Sequence, residues 1–176
     1  MKRNISDDYF VVSENFEYVN YFVNYNDERD FDIFSNGTVS SFKPVDFLCF
    51  DFLSTEKITP DFDVHVSNDI LLSMDFLDKL KSVYLYKCSI MPASVNGMDY
   101  IYIHCGNVID ILDGDDFNFE KLSSIPEEKR GLFKPSEDSM TYLFHKNFID
   151  NVLNGGQLQS SKVISASKWT MDWMLS

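Results

Sequence analysis

Val83-Tyr84-Leu85-Tyr86-Lys87-Cys88-Ser89-Ile90-Met91-Pro92 and, a few residues on, Asn96-Gly97-Met98-Asp99-Tyr100-Ile101-Tyr102-Ile103-His104-Cys105 decide the fold class. β-Branched and aromatic side chains crowd both halves, and such side chains fit a pleated, half-buried surface. Asn96-Gly97 is the pair that a tight hairpin turn favours, because both central residues need a positive φ. The stretch predicts a strand over 83–91 ended by Pro92, then a second strand over 99–105.

Working upstream, Ser67-Asn68-Asp69 offers a helix N-cap with acid in the first turn. Ile70, Met74, Leu77 and Leu80 follow at helical offsets. Asp61–Val66 alternates as a short strand, and residues 45–53 form a largely buried strand bounded by Pro44 and Pro60. Residues 8–25 read as a strand pair, Tyr9–Val12 with Tyr18–Val23. A charged loop follows from Asn24, and Asn36-Gly37 marks another hairpin turn.

Downstream, Val108–Leu112 predicts a third strand after a Gly106-Asn107 turn. Residues 113–140 read as a long loop holding a short helix around Phe119–Leu122. Thr141–His145 is a strand. Asn147 caps a helix whose buried face is Phe148, Ile149, Val152 and Leu153, and Asn154-Gly155-Gly156 stops it. Lys162–Ser167 is the last strand, followed by Trp169 and Trp173. Strand, capped helix, strand thus occurs at 62–90 and again at 141–166. The whole predicts one α+β domain over 1–176, with a mostly antiparallel sheet and two to four short helices.

The 176 residues are 44% hydrophobic and 15% aromatic, enough for a sizeable core without disulfide or metal. Formal net charge is -13, divided as -6 over residues 1–60, -8 over 61–120 and +1 over 121–176. Such a chain repels phosphate backbones, which argues against nucleic acid as a partner. It suits a basic protein partner, or serves solubility alone. Cys49, Cys88 and Cys105 are too few and too irregularly spaced for a disulfide framework. The start lacks the apolar core of a signal peptide, and no apolar window is long enough to span a membrane. A cytoplasmic, soluble protein is expected.

No candidate chemistry meets its geometric requirement. His65, His104 and His145 have no metal-ligand spacing. His104 and Cys105 are adjacent in a strand and point to opposite faces, so they cannot pair as base and nucleophile. Asp113-Gly114-Asp115-Asp116 opens like a calcium loop, but the fifth position is Phe117 and the twelfth Ser124. Pairs such as Asp61/Asp63 or Asp115/Asp116 arise by chance among 28 acids. Gly155-Gly156 follows a helix, whereas a phosphate cradle precedes one. Tyr84, Tyr86, Tyr100 and Tyr102 alternate as a sheet face. The expectation is no enzyme, no cofactor and no metal.

Three segments carry a family resemblance. They are Pro60-Asp61-Phe62 leading through Val66-Ser67-Asn68 to Phe76 and Leu80, Tyr100–His104 followed by Val108-Ile109-Asp110, and Leu143-Phe144-His145 running to Gly156. Over roughly residues 60–168 the chain resembles a family of bacterial immunity proteins from polymorphic-toxin systems. Residues 1–59 share nothing with it. The resemblance implies a cytoplasmic protein that binds and neutralises a cognate toxin without catalysis. Asp113, Asp115, Asp116, Glu127, Glu128, Glu137 and Asp138 are the expected contacts with a basic toxin. A small hydrolase, using a carboxylate pair or Cys and His, and a regulatory adaptor are the alternatives.

Overall fold

The computed structural model describes residues 4–26 and 44–169. Asn36-Gly37, the charged stretch beyond Asn26 and Trp173 lie outside the described residues. In chain order the strands are β1 (Tyr9–Glu14), β2 (Tyr21–Tyr25), β3 (Val45–Asp51), β4 (Val64–Val66), β5 (Ile70–Ser73) and β6 (Cys88–Val95). Then come β7 (Met98–Cys105), β8 (Leu112–Asp113), β9 (Asp116–Phe117), β10 (Leu132–Phe133), β11 (Leu143–His145) and β12 (Ser161–Ser165). The α-helices are short: α1 (Leu77–Leu80), entered through a 3-10 turn at Met74–Phe76, and α2 (Lys146–Asn151). No helix among the described residues is long and apolar enough to cross a membrane.

One sheet has the order β2-β3-β6-β7-β5-β4, a second β10-β11-β1-β12, and β8-β9 is a separate hairpin. Among these named strands only β3 and β6 pair in parallel. The expected sheet-rich, mostly antiparallel architecture with short helices is what is found.

The central strands β1, β5 and β7 are buried on two faces over most of their length, whereas β3 and β6 alternate buried with partly exposed positions, and side-chain alternation divides three cores between the sheets. Ile101 and Ile103 of β7, with Ile70 and Leu72 of β5, enter a central core shared with Val12, Phe144 and the α2 residues Phe148 and Ile149. Tyr100, Tyr102 and Leu71 point the other way, onto Tyr21, Phe47 and Phe62. Tyr9, Val11 and Leu143 line the outer face of the four-stranded sheet with Phe119 and Leu122. Burial on both faces explains the near-continuous apolar runs of β5 and β7.

The β6–β7 turn is built as the sequence predicts, with φ of 47° at Asn96 and 83° at Gly97. Asn96 also ties the turn to its neighbours: its Nδ2 donates to the carbonyls of Cys49 at 2.7 Å and Ile58 at 2.6 Å.

Several expectations need correction. Residues 83–87 are turns, and β6 starts at Cys88 and runs through Pro92. Gly106 N–H donates to the Lys87 carbonyl, and counting along the register from there makes Pro92 opposite Ile101 a non-hydrogen-bonded pair. Its missing N–H faces the side where β3 joins only at Ala93, so no ladder bond is lost.

The helix expected from Ser67 starts seven residues later. Ser67-Asn68-Asp69 is the turn of the β4–β5 hairpin, and Ile70-Leu71-Leu72 is a strand buried on both sides. Residues 8–25 do form two strands, but they belong to different sheets. Val108 makes one isolated bridge to Lys134, and no strand covers 108–111.

The long loop over 113–140 is instead a hairpin, two 3-10 turns and β10, anchored by buried Phe119, Leu122, Leu132 and Phe133. His145, not Asn147, caps α2, its Nδ1 accepting from Asn147 N–H. Gly156 does end the following turn. Its φ is 84°, and a Cβ there would meet Val163 at 3.1 Å.

Strand–helix–strand units occur at both places, but in the first the strand before α1 is β5, which lies inside the segment read as helix. β5 and β6 both run antiparallel to β7, which lies between them, with α1 in the connection. β11 and β12 flank β1 in the same way, with α2 in the connection.

Candidate functional site

The chemistry-bearing side chains gather around the β4–β5 turn. Ser, Asn and Asp side chains bond locally to the backbone, so one triplet serves a helix cap or a tight turn. Here Ser67 N–H donates to the Asp69 carbonyl at 3.0 Å, and the Tyr142 hydroxyl donates to the Asn68 carbonyl at 2.7 Å, fixing the tip.

On one side of the tip lies His65, 3% exposed. Its Nε2 is 3.2 Å from Ser67 Oγ, and its Nδ1 is 3.4 Å from Glu14 Oε1 of β1. Burial pushes the imidazole down to about 4, so it is neutral at pH 7. Burial raises the Glu14 carboxyl. His65 Nδ1 has no hydrogen-bond partner among the described residues.

The order hydroxyl, imidazole, carboxylate is that of a hydrolytic triad. Two features set it apart. The carboxylate stands beyond hydrogen-bond geometry, and an imidazole with so low a pKa is a weak general base at neutral pH.

On the other side of the tip, Tyr25 donates to Asp69 Oδ1 at 2.5 Å and lies 2.9 Å from the Tyr102 hydroxyl. Burial raises the Asp69 carboxyl, against the hydrogen bonds from Tyr25 and Tyr102 and the charge of His104. Two clefts open here, of about 520 and about 390 Å³. The first runs along Val12, Glu14, Phe16 and Val66, and the second along Tyr25, Asp69 and Lys134. They share Ser67, Asn68, Asp138, Ser139, Met140 and Tyr142, which makes them adjoining parts of one groove.

The seven acidic residues expected at a partner interface are all exposed, but they do not line one depression. Asp113 and Asp116, with Asp115 in the turn between them, sit on the β8–β9 hairpin beside Asn4–Ser6. Glu127 and Glu128 border a different hollow with Tyr84 and His145. Asp138 alone lines the groove at the β4–β5 turn, next to Glu137 in sequence.

Among the described residues, no three His, Cys, Asp or Glu side chains are placed to hold a metal ion. Cys88 and Cys105 face one another across β6 and β7, and Cys49 is fully buried, its thiol pushed up to about 11 by burial. Sequence reasoning missed Ser67, Glu14 and Asp69 as site residues. Residues 14, 25 and 67–69 meet only through the sheets. No protein-family model matches the chain, and no curated protein matches it.

Proposed function

We propose that this chain is a single α+β domain acting as a non-catalytic, immunity-type inhibitor that binds a basic bacterial toxin in the cytoplasm. The observation that supports this reading most is the division of its carboxylates. Many acids are occupied by the fold: Asp63 accepts from three backbone N–H groups, Asp51 from Leu53 and Ser54 N–H, and Asp150 pairs with Lys146. The carboxylates of Asp113, Asp115, Asp116, Glu127, Glu128, Glu137 and Asp138 are exposed and engaged by no described side chain. Charges held in water and engaged by no described side chain act on encounter with an oppositely charged protein.

The direct test is co-expression with the toxin encoded beside this protein's gene. Growth should be rescued and the two chains should co-purify, and failure of both ends the immunity reading. Given a complex, replacing Asp113, Asp115 and Asp116 together with Asn should slow association roughly tenfold at low salt. Dissociation and the thermal stability of the free protein should stay unchanged. The loss should fade as salt shortens the screening length below about 10 Å. Stopped-flow association at several ionic strengths checks this, and an unaltered rate moves the interface to Glu127, Glu128, Glu137 and Asp138.

The hydrolase alternative has one observation in its favour, the Ser67–His65–Glu14 arrangement. A fluorophosphonate probe should leave the native protein unlabelled. Stoichiometric labelling at Ser67, lost in Ser67→Ala, would replace the binder by an enzyme.

A further inference from the structure

The larger part of the groove is lined mostly by hydrocarbon and also carries two carboxylates. Val12 and Val66 are buried in its floor, while Phe16, 74% exposed, and Met140, 66% exposed, stand at its lips. Glu14 and Asp138 belong to the lining of this part, which holds no lysine or arginine, whereas Lys134 lines the adjoining part. Glu14 is half-buried, and no lysine or arginine among the described residues pairs with it. His65 Nδ1, 3.4 Å from its Oε1, belongs to a buried, neutral ring and is itself without a hydrogen-bond partner among the described residues. A carboxylate drawn partly out of water without a countercharge is an uncompensated cost, and a cation brought to it removes that cost.

The shape of the groove selects among cations. A metal ion would need several ligands, and no cluster of three is present among the described residues. A wholly apolar anchor would complete the desolvation of Glu14 and leave it unpaired. An anion is repelled. A side chain with a long aliphatic stem and a cationic head suits both the hydrocarbon lining and the carboxylates. Of the two such residues, arginine presents five donors in a planar fork and can serve two carboxylates from different elements at once.

We propose that this groove is a socket for an arginine side chain of the protein partner, its stem between Phe16 and Met140 and its guanidinium at Glu14 and Asp138. That the arginine belongs to a toxin rests on the function proposed above; the socket chemistry does not.

The probe is N-acetyl-arginine amide, titrated into the full chain and followed by amide NMR shifts. Its neutral isostere, N-acetyl-citrulline amide, is titrated in parallel. Shifts are expected at Glu14, Ser67, Asn68 and Met140 with the arginine compound, and binding at least tenfold weaker with citrulline. Glu14→Gln should abolish the response, and Asp138→Asn, a change at an exposed position that leaves folding intact, should weaken it several-fold. Equal responses to both compounds would overturn the proposal by showing a groove indifferent to charge. Shifts confined to Asp113–Asp116 or Glu127–Glu128, or none at all, would overturn it too.

Co-expression separates the two ideas. Rescue by wild type and equally by Glu14→Gln and Asp138→Asn keeps the immunity reading and removes the socket. No rescue by wild type, with arginine-specific shifts at the groove, removes the immunity reading and keeps the socket.

Discussion

Asp63→Ala is expected to cost about 3 kcal/mol of folding stability, because charge-assisted bonds are worth about 1.5–3 kcal/mol each and their donors would lose their acceptor together. The Asp63 carboxylate receives the N–H groups of Val64 at 2.8 Å, Gln159 at 2.7 Å and Ser160 at 3.0 Å, and the Ser160 hydroxyl at 2.5 Å. Val64 belongs to the six-stranded sheet, and Ser160 leads into β12 of the four-stranded one. This one side chain therefore fastens the two sheets together where Ser161 Oγ also donates to the Val64 carbonyl.

Asp63→Asn keeps one acceptor oxygen and should cost less. Burial alone would raise the Asp63 carboxyl, but the bonds from Ser160, Gln159 and Val64 outweigh it and hold the group below its usual value. The stabilisation is therefore present above the ordinary carboxylate pKa and is lost as pH falls through the lowered one. Urea midpoints at pH 7 and in acid check both the size and the sign. A loss at pH 7 of less than a third of that expected would show that water replaces the carboxylate.

The second large effect belongs to His65. Burial brings its pKa to about 4 in the folded protein, below the ordinary imidazole value of 6.5. Between those values the unfolded chain binds more protons, so stability rises with pH from about 4 to 6.5 and is flat above. The full contribution is at most about 3.5 kcal/mol, from about 1.4 kcal/mol per pH unit. Glu14 and Asp69, both raised by burial, act with the opposite sign: their share is present at low pH and lost as pH climbs through their folded values. The comparison of wild type with His65→Leu isolates the histidine. The variant should lack the fall in stability on acidification from pH 6.5 to 4, whatever its stability at pH 7. Parallel pH profiles for the two proteins would contradict a neutral, buried imidazole.

Local signals in the sequence reached as far as neighbouring strands. Asn96-Gly97 specifies the β6–β7 hairpin because its backbone demand is satisfied within two residues. Alternation of Tyr100 and Tyr102 against Ile101 and Ile103 marks a strand whatever covers its faces. The same reasoning failed at Ile70. Offsets at Met74, Leu77 and Leu80 are helical, yet Leu71 and Leu72 make a continuous apolar run, and both faces of that run are buried. A short apolar run after a Ser-Asn-Asp turn fits a fully buried strand equally well, and periodicity does not choose between them.

The groove was illegible for a different reason. Glu14, Ser67 and Asp138 are joined by no spacing rule, because three separate elements bring them together. Their acidic and polar types gave no signal among so many similar residues.

The place of β1 in the centre of its sheet also governs the order of events during synthesis. Tyr9–Glu14 emerges from the ribosome early, while its partners Leu143–His145 and Ser161–Ser165 are near the end of the described chain. At about 5–20 residues per second the strand waits roughly 7 to 30 s for them. Through that interval Tyr9, Val11 and Val12, buried in the finished protein, have no sheet to enter. The β6–β7 hairpin closes across two residues and can form as soon as it is made. Joining β1 to its partners requires closing a loop of more than about a hundred residues before any contact is gained. The four-stranded sheet is therefore assembled last, and β1 is the segment a nascent-chain chaperone would hold.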